Sequence, residues 1–186
     1  MDFKQLFIFV EGPDDERFMS HVVVPRLESR YNHIKFIKYG TMTKIAVEAF
    51  VKTCTQKAAY DYLFVCDMDA RGDKSLCVTS RKQKEQNKYG RNLLEINKIV
   101  VVKEEIESWY LAGVTDVQAA RLNIKRLADT TFTTKEDFEK MIPKNFVSSN
   151  DFMVEILKNY SLEQGMEANP SLDYFAKRHL LIEDKG

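Results

Sequence analysis

The chain has 186 residues, and its formal net charge is zero because basic and acidic residues are equal in number. Its length fits a single domain, and a hydrophobic fraction of 44% can fill a core, which excludes an intrinsically disordered chain. The neutral balance excludes a protein that coats nucleic acid through overall positive charge, but it allows a local basic path beside an acidic cluster. No apolar run approaches the ~18 residues that a membrane span requires.

Four short runs rich in β-branched and aromatic residues predict strands. In chain order they are "LFIFV" (residues 6–10), the weaker "IKFIKY" (34–39), "YLFVC" (62–66) and "KIVVV" (98–102). The three strong runs are continuous rather than alternating, which is typical of strands that are covered on both faces in a parallel sheet.

Helical patterns separate these strands. They cover residues 14–29, residues 43–58 with Thr43 as the N-cap, and a polar segment at 74–89 that Gly90 ends. Alternating strands and helices predict an α/β fold with right-handed crossovers. We therefore expect a mostly parallel, Rossmann-like sheet of about four strands flanked by helices.

Beyond Gly113 the pattern changes to helices alone. They are predicted at residues 116–127, 135–141, 150–160 and 171–181, with Pro143, Gly165 and Pro170 between them. This predicts an α/β core at residues 1–112 and a helical C-terminal extension of the same domain at 113–186.

Cysteine and histidine usage argues against disulfides and zinc. Cys54, Cys66 and Cys77 form no CxxC pair, and no signal-peptide segment is recognisable. These features predict reduced thiols in a cytoplasmic protein. The histidines show no spacing typical of zinc ligands.

Acidic side chains follow three of the predicted strands. Glu11 follows the first strand, Asp67 and Asp69 follow the third, and Glu105 and Glu107 follow the fourth. The carboxyl ends of parallel strands share one edge of a sheet, so these acids should converge. Two such charges 4 Å apart repel by roughly 4 kcal/mol at an effective dielectric of about 20, which a bound cation would offset. Oxygen ligands alone favour Mg²⁺ or Mn²⁺, and hence phosphate-ester chemistry.

Asp15 has two interpretations. It lies four residues after Glu11 and could turn back into the site, or it could only be an acid at a helix start, where the helix dipole favours negative charge. The preceding residues fit a strand-to-helix turn, because Gly12 permits a tight passage and Pro13 suits the first helical position.

Glu11-Gly12 after one strand and Asp67-x-Asp69 after another resemble the motifs of the Toprim domain. Bacterial-type primases, type IA and II topoisomerases, OLD-type nucleases and small RNA maturases share that domain. "VEGPDDERF" (10–18) and "VVVKEEIESWYLA" (100–112) look most similar to the OLD-like nucleases and small stand-alone prokaryotic Toprim proteins. The resemblance covers about residues 3–112.

The resemblance implies a nuclease that cleaves DNA or RNA phosphodiesters with one or two Mg²⁺ or Mn²⁺ ions, in a phage-defence or repair setting. It implies that Glu11, Asp67 and Asp69 hold the principal ion with help from Glu105, and that Glu107 and Asp15 complete a second ion site or position the attacking water. OLD-like nucleases also use a later basic residue, for which the candidates are Lys144 and Lys177.

A basic segment follows the Asp67-x-Asp69 motif and could guide a phosphate backbone past the metal ions. The expected phosphate contacts are Arg71, Lys74, Arg81 and Lys82. A solvated helix face is the other interpretation of this segment.

Two other functions stay open at this stage. The chain could be a non-catalytic Toprim-like subunit that binds nucleic acid or an ATPase, or a small RNA-processing Toprim ribonuclease. OLD proteins carry an ATPase domain ahead of the Toprim part, whereas this sequence starts at the first strand. We therefore expect any ATPase partner to be a separate subunit, and a homodimer is a further expectation.

Overall fold

The structure is a computed structural model that describes residues 3–68, 77–90 and 93–181. The chain divides into two compact units, Met1–Val101 and Val102–Gly186. The sequence predicted a boundary after residue 112, which is one helix later. Each unit has its own core and is described separately below.

The first unit contains a four-stranded, all-parallel sheet with the strand order β2-β1-β3-β4. The strands are β1 Gln5–Val10, β2 His33–Lys38, β3 Tyr60–Asp67 and β4 Ile99–Val102. Helices flank this sheet, so the predicted α/β class and Rossmann-like sheet are confirmed. Each of the four predicted runs forms one strand.

Strand position in the sheet follows from residue type. β1 and β3 are almost wholly buried, and all four residues of β4 are buried, as expected from their continuous apolar runs. β2 lies at an edge and is the most exposed of the four strands, and its exposed residues include Lys35 and Lys38. Charged side chains of this kind discourage edge-to-edge pairing with another sheet.

The helices of the first unit largely match the prediction. They are α1 Pro13–Phe18, α2 Val24–Leu27, α3 Lys44–Gln56 and α4 Val78–Tyr89, with a π-helical segment Met19–Val23 and 3₁₀ segments Tyr39–Thr41 and Ile96–Lys98. The Thr43 hydroxyl oxygen accepts a hydrogen bond from the Ala46 N–H at 3.3 Å, so the predicted N-cap of α3 is confirmed. Gly90 ends α4 with a φ of 99°.

One region that was predicted as a single helix consists of three successive helical segments. The sequence predicted a single helix at 14–29, whereas the structure has α1, the π-helical segment and α2 in succession. Pro25 gives a physical reason, because it has no N–H to donate to the preceding turn and so disturbs the helical hydrogen-bond register.

An aromatic core fixes how the strands of the first unit align. Phe9 of β1 and Phe64 of β3 have ring centroids 5.8 Å apart and pack in one buried cluster with Val47 and Val51 of α3. In the resulting register Phe9 is paired with Phe64, and Val10 with Lys38. A slip by one residue would turn these buried side chains to the opposite face of the sheet, so the core pins the register.

The second unit is helical after the end of β4. Its helices are α5 Ile106–Ala112, α6 Asp116–Leu122, α7 Lys135–Met141, α8 Ser149–Leu157, α9 Leu162–Ala168 and α10 Pro170–Phe175, with a π-helical segment Ala176–Leu180. The prediction for residues 135–141 is confirmed. No helix within residues 3–68, 77–90 and 93–181 is both long and apolar enough to cross a membrane.

Several predicted boundaries in this unit need correction: the helix predicted at 150–160 ends at Leu157, and α9 was not predicted as a helix. The helix predicted at 116–127 ends at Leu122, because Asn123 adopts a left-handed conformation with φ 56°. Leu181 ends the last helical stretch in the same way, with φ 57°. Gly165 was predicted as a break but lies inside α9, where a Cβ would approach Leu172 Cδ2 and the Tyr160 hydroxyl to 2.8 Å. The glycine there serves close packing.

A half-buried acid secures the amino edge of the sheet. Asp61, near the start of β3, accepts hydrogen bonds from Lys98 Nζ at 2.5 Å, the Tyr31 hydroxyl at 2.7 Å and the Tyr62 N–H at 2.8 Å. Burial acts to raise the pKa of this carboxyl, but the hydrogen bonds from Lys98 and Tyr31 outweigh it, and the pKa lies below its usual range. This charged network thereby links the N-terminal ends of β2, β3 and β4.

The lowered pKa of Asp61 predicts a specific acid sensitivity. A carboxyl whose pKa is lower in the folded state contributes stability that is present above its ordinary pKa, near 3.8, and that is lost as the pH falls through the folded value. Urea unfolding from about pH 6 to about pH 2.5 should therefore show a shallower acid loss for Asp61→Asn than for the unchanged protein.

Glu48→Gln is the matched control, since Glu48 forms only an (i, i+4) surface pair with Lys44. That variant should keep the acid profile of the unchanged protein. Identical profiles for Asp61→Asn and the unchanged protein would contradict the assignment.

Candidate functional site at the carboxyl edge of the sheet

The register of the sheet brings three chain segments to one place. Glu11 follows β1, Tyr39 follows β2, and Asp67 is the last residue of β3. Glu11 Oε1 lies 3.4 Å from the backbone N–H nitrogen of Asp67, which donates to it, and 3.0 Å from the Tyr39 hydroxyl. The structure thus brings together two of the predicted site residues, Glu11 and Asp67.

Tyr39 was not recognised from the sequence. Its ring is buried and stacks on Phe64 with centroids 4.5 Å apart, while its hydroxyl lies near Glu11 Oε1 and 2.9 Å from the Val65 carbonyl oxygen. Burial and the nearby Glu11 carboxylate raise the pKa of this hydroxyl, which therefore stays protonated and can donate. Its position as the last residue of a predicted strand is the signal that could have identified it.

Arg81 occupies a different position from the one expected. The sequence predicted that Arg81 and Lys82 lie on an exposed phosphate path, but their exposed fractions are only 4% and 8%. Arg81 Nε donates to the Asp67 carbonyl oxygen at 2.7 Å, and Nη1 donates to Glu85 Oε1. Nη2 lies 4.0 Å from Glu11 Oε1. The Arg81 guanidinium is therefore part of the carboxyl edge itself. The burial of Arg81 and Lys82 contradicts the prediction that both lie on an exposed phosphate path.

Charge at this edge is compensated from within the protein. Burial acts to lower the pKa of Arg81, but its interactions, among them the charge of Glu85 and the hydrogen bond to it, outweigh burial and raise the pKa, so the guanidinium stays charged. Cys66 is itself buried beside this edge, and burial raises the pKa of its thiol. A protonated, enclosed thiol is a poor nucleophile, so Cys66 acts as a small core residue.

Asp15 takes part in the start of α1. Its Oδ2 accepts a hydrogen bond from the Gly12 N–H at 3.0 Å, the contact that an acid at the third helical position makes in a capping box. Asp14 pairs with Arg17 at 2.5 Å, and Glu16 pairs with Lys38 at 2.6 Å. These contacts favour the helix-start interpretation of Asp15, although a role in the site is not tested by them.

Glu105 and Glu107 belong to the second unit. Glu105 Oε2 accepts a hydrogen bond at 2.6 Å from the N–H of Lys135, the first residue of α7. Glu107 is buried in the first turn of α5. Both acids therefore have helix-terminal positions in their own unit, and their association with Glu11 and Asp67 stays a prediction.

The remaining candidates have simpler surroundings. Lys144 is exposed in the turn after α7, and Lys177 is exposed with its ammonium group 3.1 Å from Asp173. Neither position identifies a basic residue of an active site. Three further predicted residues lie outside the described part of the chain: Asp69, Arg71 and Lys74.

The donor set at the carboxyl edge fits a hard divalent cation. Mg²⁺ is commonly held by one or two carboxylates, with water and substrate phosphate completing its shell. Glu11 and Asp67 supply two carboxylates on adjacent strands, and the Glu11 side chain is 40% exposed and thus reachable. Among the described residues, no group of three or more histidine, cysteine, aspartate or glutamate side chains is arranged to hold an ion.

Comparison with known proteins adds no family to this geometry. No protein-family model, curated protein or solved structure matches the chain. The resemblance to Toprim domains consequently depends on the three sequence motifs around Glu11, Asp67 and Glu105 alone.

Gly40 packs directly against the backbone of Glu11. Its N–H donates to the Glu11 carbonyl oxygen at 3.2 Å, and a Cβ at this position would lie 2.3 Å from the same oxygen. Since that neighbour is backbone, it cannot move aside without shifting Glu11. The sequence did not single out this glycine, although it follows Tyr39 at the end of β2.

Gly40→Ala should therefore distort the site and destabilise the first unit. Overpacking of this kind costs about 1–3 kcal/mol, which urea unfolding near neutral pH would measure. Gly12→Ala is the matched control on the other side of Glu11, because its Cβ would meet Asp15 Oδ2 at an ordinary 3.8 Å. Equal stability of the two variants would show that the close approach of Gly40 is unimportant.

Proposed function

We propose that the protein is a divalent-metal-dependent nuclease of the Toprim type that cleaves phosphodiester bonds in DNA or RNA. The observation that supports this most directly is the contact between Glu11 Oε1 and the Asp67 N–H, 3.4 Å apart, at the carboxyl edge of an all-parallel sheet. Ligands of open α/β sheets bind at that edge. Carboxylate residues at the ends of two adjacent strands, as Glu11 and Asp67 are, suit a cation and a phosphate ester better than a neutral ligand.

Each residue of the edge has a role in this proposal. Glu11, Asp67 and Asp69 would hold the principal Mg²⁺ or Mn²⁺ ion with help from Glu105, and Glu107 and Asp15 would complete a second ion site or position the attacking water. The bound ion would stabilise the negative charge that develops on the phosphoryl group. The Tyr39 hydroxyl holds Glu11 through Oε1. The other carboxylate oxygen of Glu11 would bind the ion.

Partners and setting belong to the same proposal. The substrate would be nucleic acid, with Arg71 and Lys74 as phosphate contacts. A separate ATPase subunit, a homodimer, a cytoplasmic location and a role in phage defence or repair are further parts of this proposal.

A non-catalytic subunit is the second candidate, and one observation favours it. Arg81 Nη2 already lies 4.0 Å from Glu11 Oε1, so the protein provides a positive charge for this carboxylate without a metal ion. A subunit of this kind would bind nucleic acid or an ATPase but cleave nothing.

The test of the nuclease proposal is a cleavage assay with Mg²⁺, Mn²⁺ and Ca²⁺ on duplex DNA, single-stranded DNA and structured RNA. Asp67→Asn and Glu11→Gln should each reduce metal-dependent cleavage by at least about 100-fold, because each removes a carboxylate that would hold the ion that stabilises the transition state. Circular dichroism and urea unfolding would verify that both variants fold.

Asp14→Asn is the control, since Asp14 pairs with Arg17 at the surface rather than with the sheet edge. It should cleave at the rate of the unchanged protein. Full cleavage by Asp67→Asn would refute the site. Retained nucleic-acid binding without cleavage under any ion would instead support the non-catalytic subunit.

A further inference from the structure

Arg81 is the most enclosed cation at the carboxyl edge, and its surroundings are unusual for a surface helix. α4 has twelve residues and is mostly polar, yet Arg81 and Glu85 on its inner face are 4% and 3% exposed. A buried charge of this kind is costly unless it is paired and hydrogen-bonded. The groups that the Arg81 guanidinium contacts therefore indicate its role.

The guanidinium reaches two strand ends and one helix neighbour at the same time. Nε is bound to the carbonyl oxygen of Asp67, Nη1 to Glu85 and Nη2 approaches Glu11 at 4.0 Å. The planar fork of arginine can serve three such partners in fixed directions, whereas lysine offers a single point charge. Glu85 fixes one side of the fork, so the other side is held toward Glu11.

We propose that Arg81 is a positioning residue that acts as a built-in counter-cation: it neutralises Glu11 when no metal is bound, and it competes with the metal ion for this carboxylate. The competition rests on the proposed metal-binding function, whereas the neutralisation does not. A carboxylate pair at a sheet edge repels itself in the absence of cations. Arg81 would keep the edge assembled in that state.

Competition sets the affinity of the site. A cation that binds Glu11 must do so beside a guanidinium that cannot be deprotonated. By linkage, Arg81 then weakens metal binding by the same factor by which the metal weakens the Arg81–Glu11 contact. An ion that brings additional ligands would bind the site more tightly than a bare ion, and substrate phosphate is the natural source of such ligands.

The first experiment requires no metal. Arg81→Met with Glu85→Met removes the pair without leaving a lone buried charge, a replacement that proteins often tolerate. Urea unfolding in EDTA would compare Glu11→Gln in the unchanged background and in this background. Glu11→Gln should lower the folding equilibrium constant at least about three-fold in the former and not lower it in the latter.

The second experiment measures Mn²⁺ binding by calorimetry. The Arg81→Met, Glu85→Met variant should bind Mn²⁺ about ten-fold more tightly than the unchanged protein, because the competing charge has gone. Arg81→Lys keeps the charge and should stay within about three-fold of the unchanged affinity. A purely structural role for Arg81 would predict weaker binding in every variant.

Each outcome decides the matter. An equal cost of Glu11→Gln in both backgrounds, or unchanged or weaker Mn²⁺ binding by the paired variant, would overturn the proposal. Should the methionine pair not fold, Arg81→Gln with Glu85→Gln provides the same charge removal with polar side chains. If the unchanged protein binds no Mn²⁺, the proposed nuclease function falls, while the EDTA comparison still decides whether Arg81 neutralises Glu11.

Discussion

Parallel pairing of β1 with both β2 and β3 is the constraint on which the candidate site depends. Parallel strands require crossover connections, so chain segments that are distant in sequence end at the same edge. The aromatic contact between Phe9 and Phe64 fixes the register by burial, and the Glu11 carboxylate consequently meets the Asp67 N–H. The position of the site is thus a consequence of core packing rather than of any contact that the acids make with each other.

The fold was readable from the sequence because burial determines strand composition. Continuous apolar runs identified β1, β3 and β4, and the turn residues around them placed the helices between. Helix ends were harder to predict. Asn123 ends α6 because it adopts a left-handed conformation, and asparagine adopts that conformation at only some positions. Gly165 was misinterpreted for a related reason, since its role is close contact with Tyr160, which local sequence does not reveal.

The site was only partly readable. The proximity of Glu11 and Asp67 followed from strand topology, which needs no side-chain detail. Arg81 is different, because a basic residue in a polar helix gives no sign of whether it faces solvent or the sheet. Only the tertiary packing of α4 shows that the Arg81 guanidinium points to the Asp67 carbonyl oxygen. The role of Tyr39 could not be predicted for the same reason, because an aromatic residue at that position could equally have served only to pack the core.

The acids that the sequence predicted for the site differ in the contacts that their side chains already make. Asp15 contacts the Gly12 N–H and Glu105 contacts the Lys135 N–H, so each would have to keep or exchange a helix-terminal contact in order to bind an ion. Glu11 differs because its protein partners are a hydroxyl, an N–H and a guanidinium at 4.0 Å, while its side chain stays 40% exposed. An arriving cation could therefore share Glu11 without unfolding a helix start. This difference makes Glu11 the residue on which ligand binding at this edge should depend most strongly.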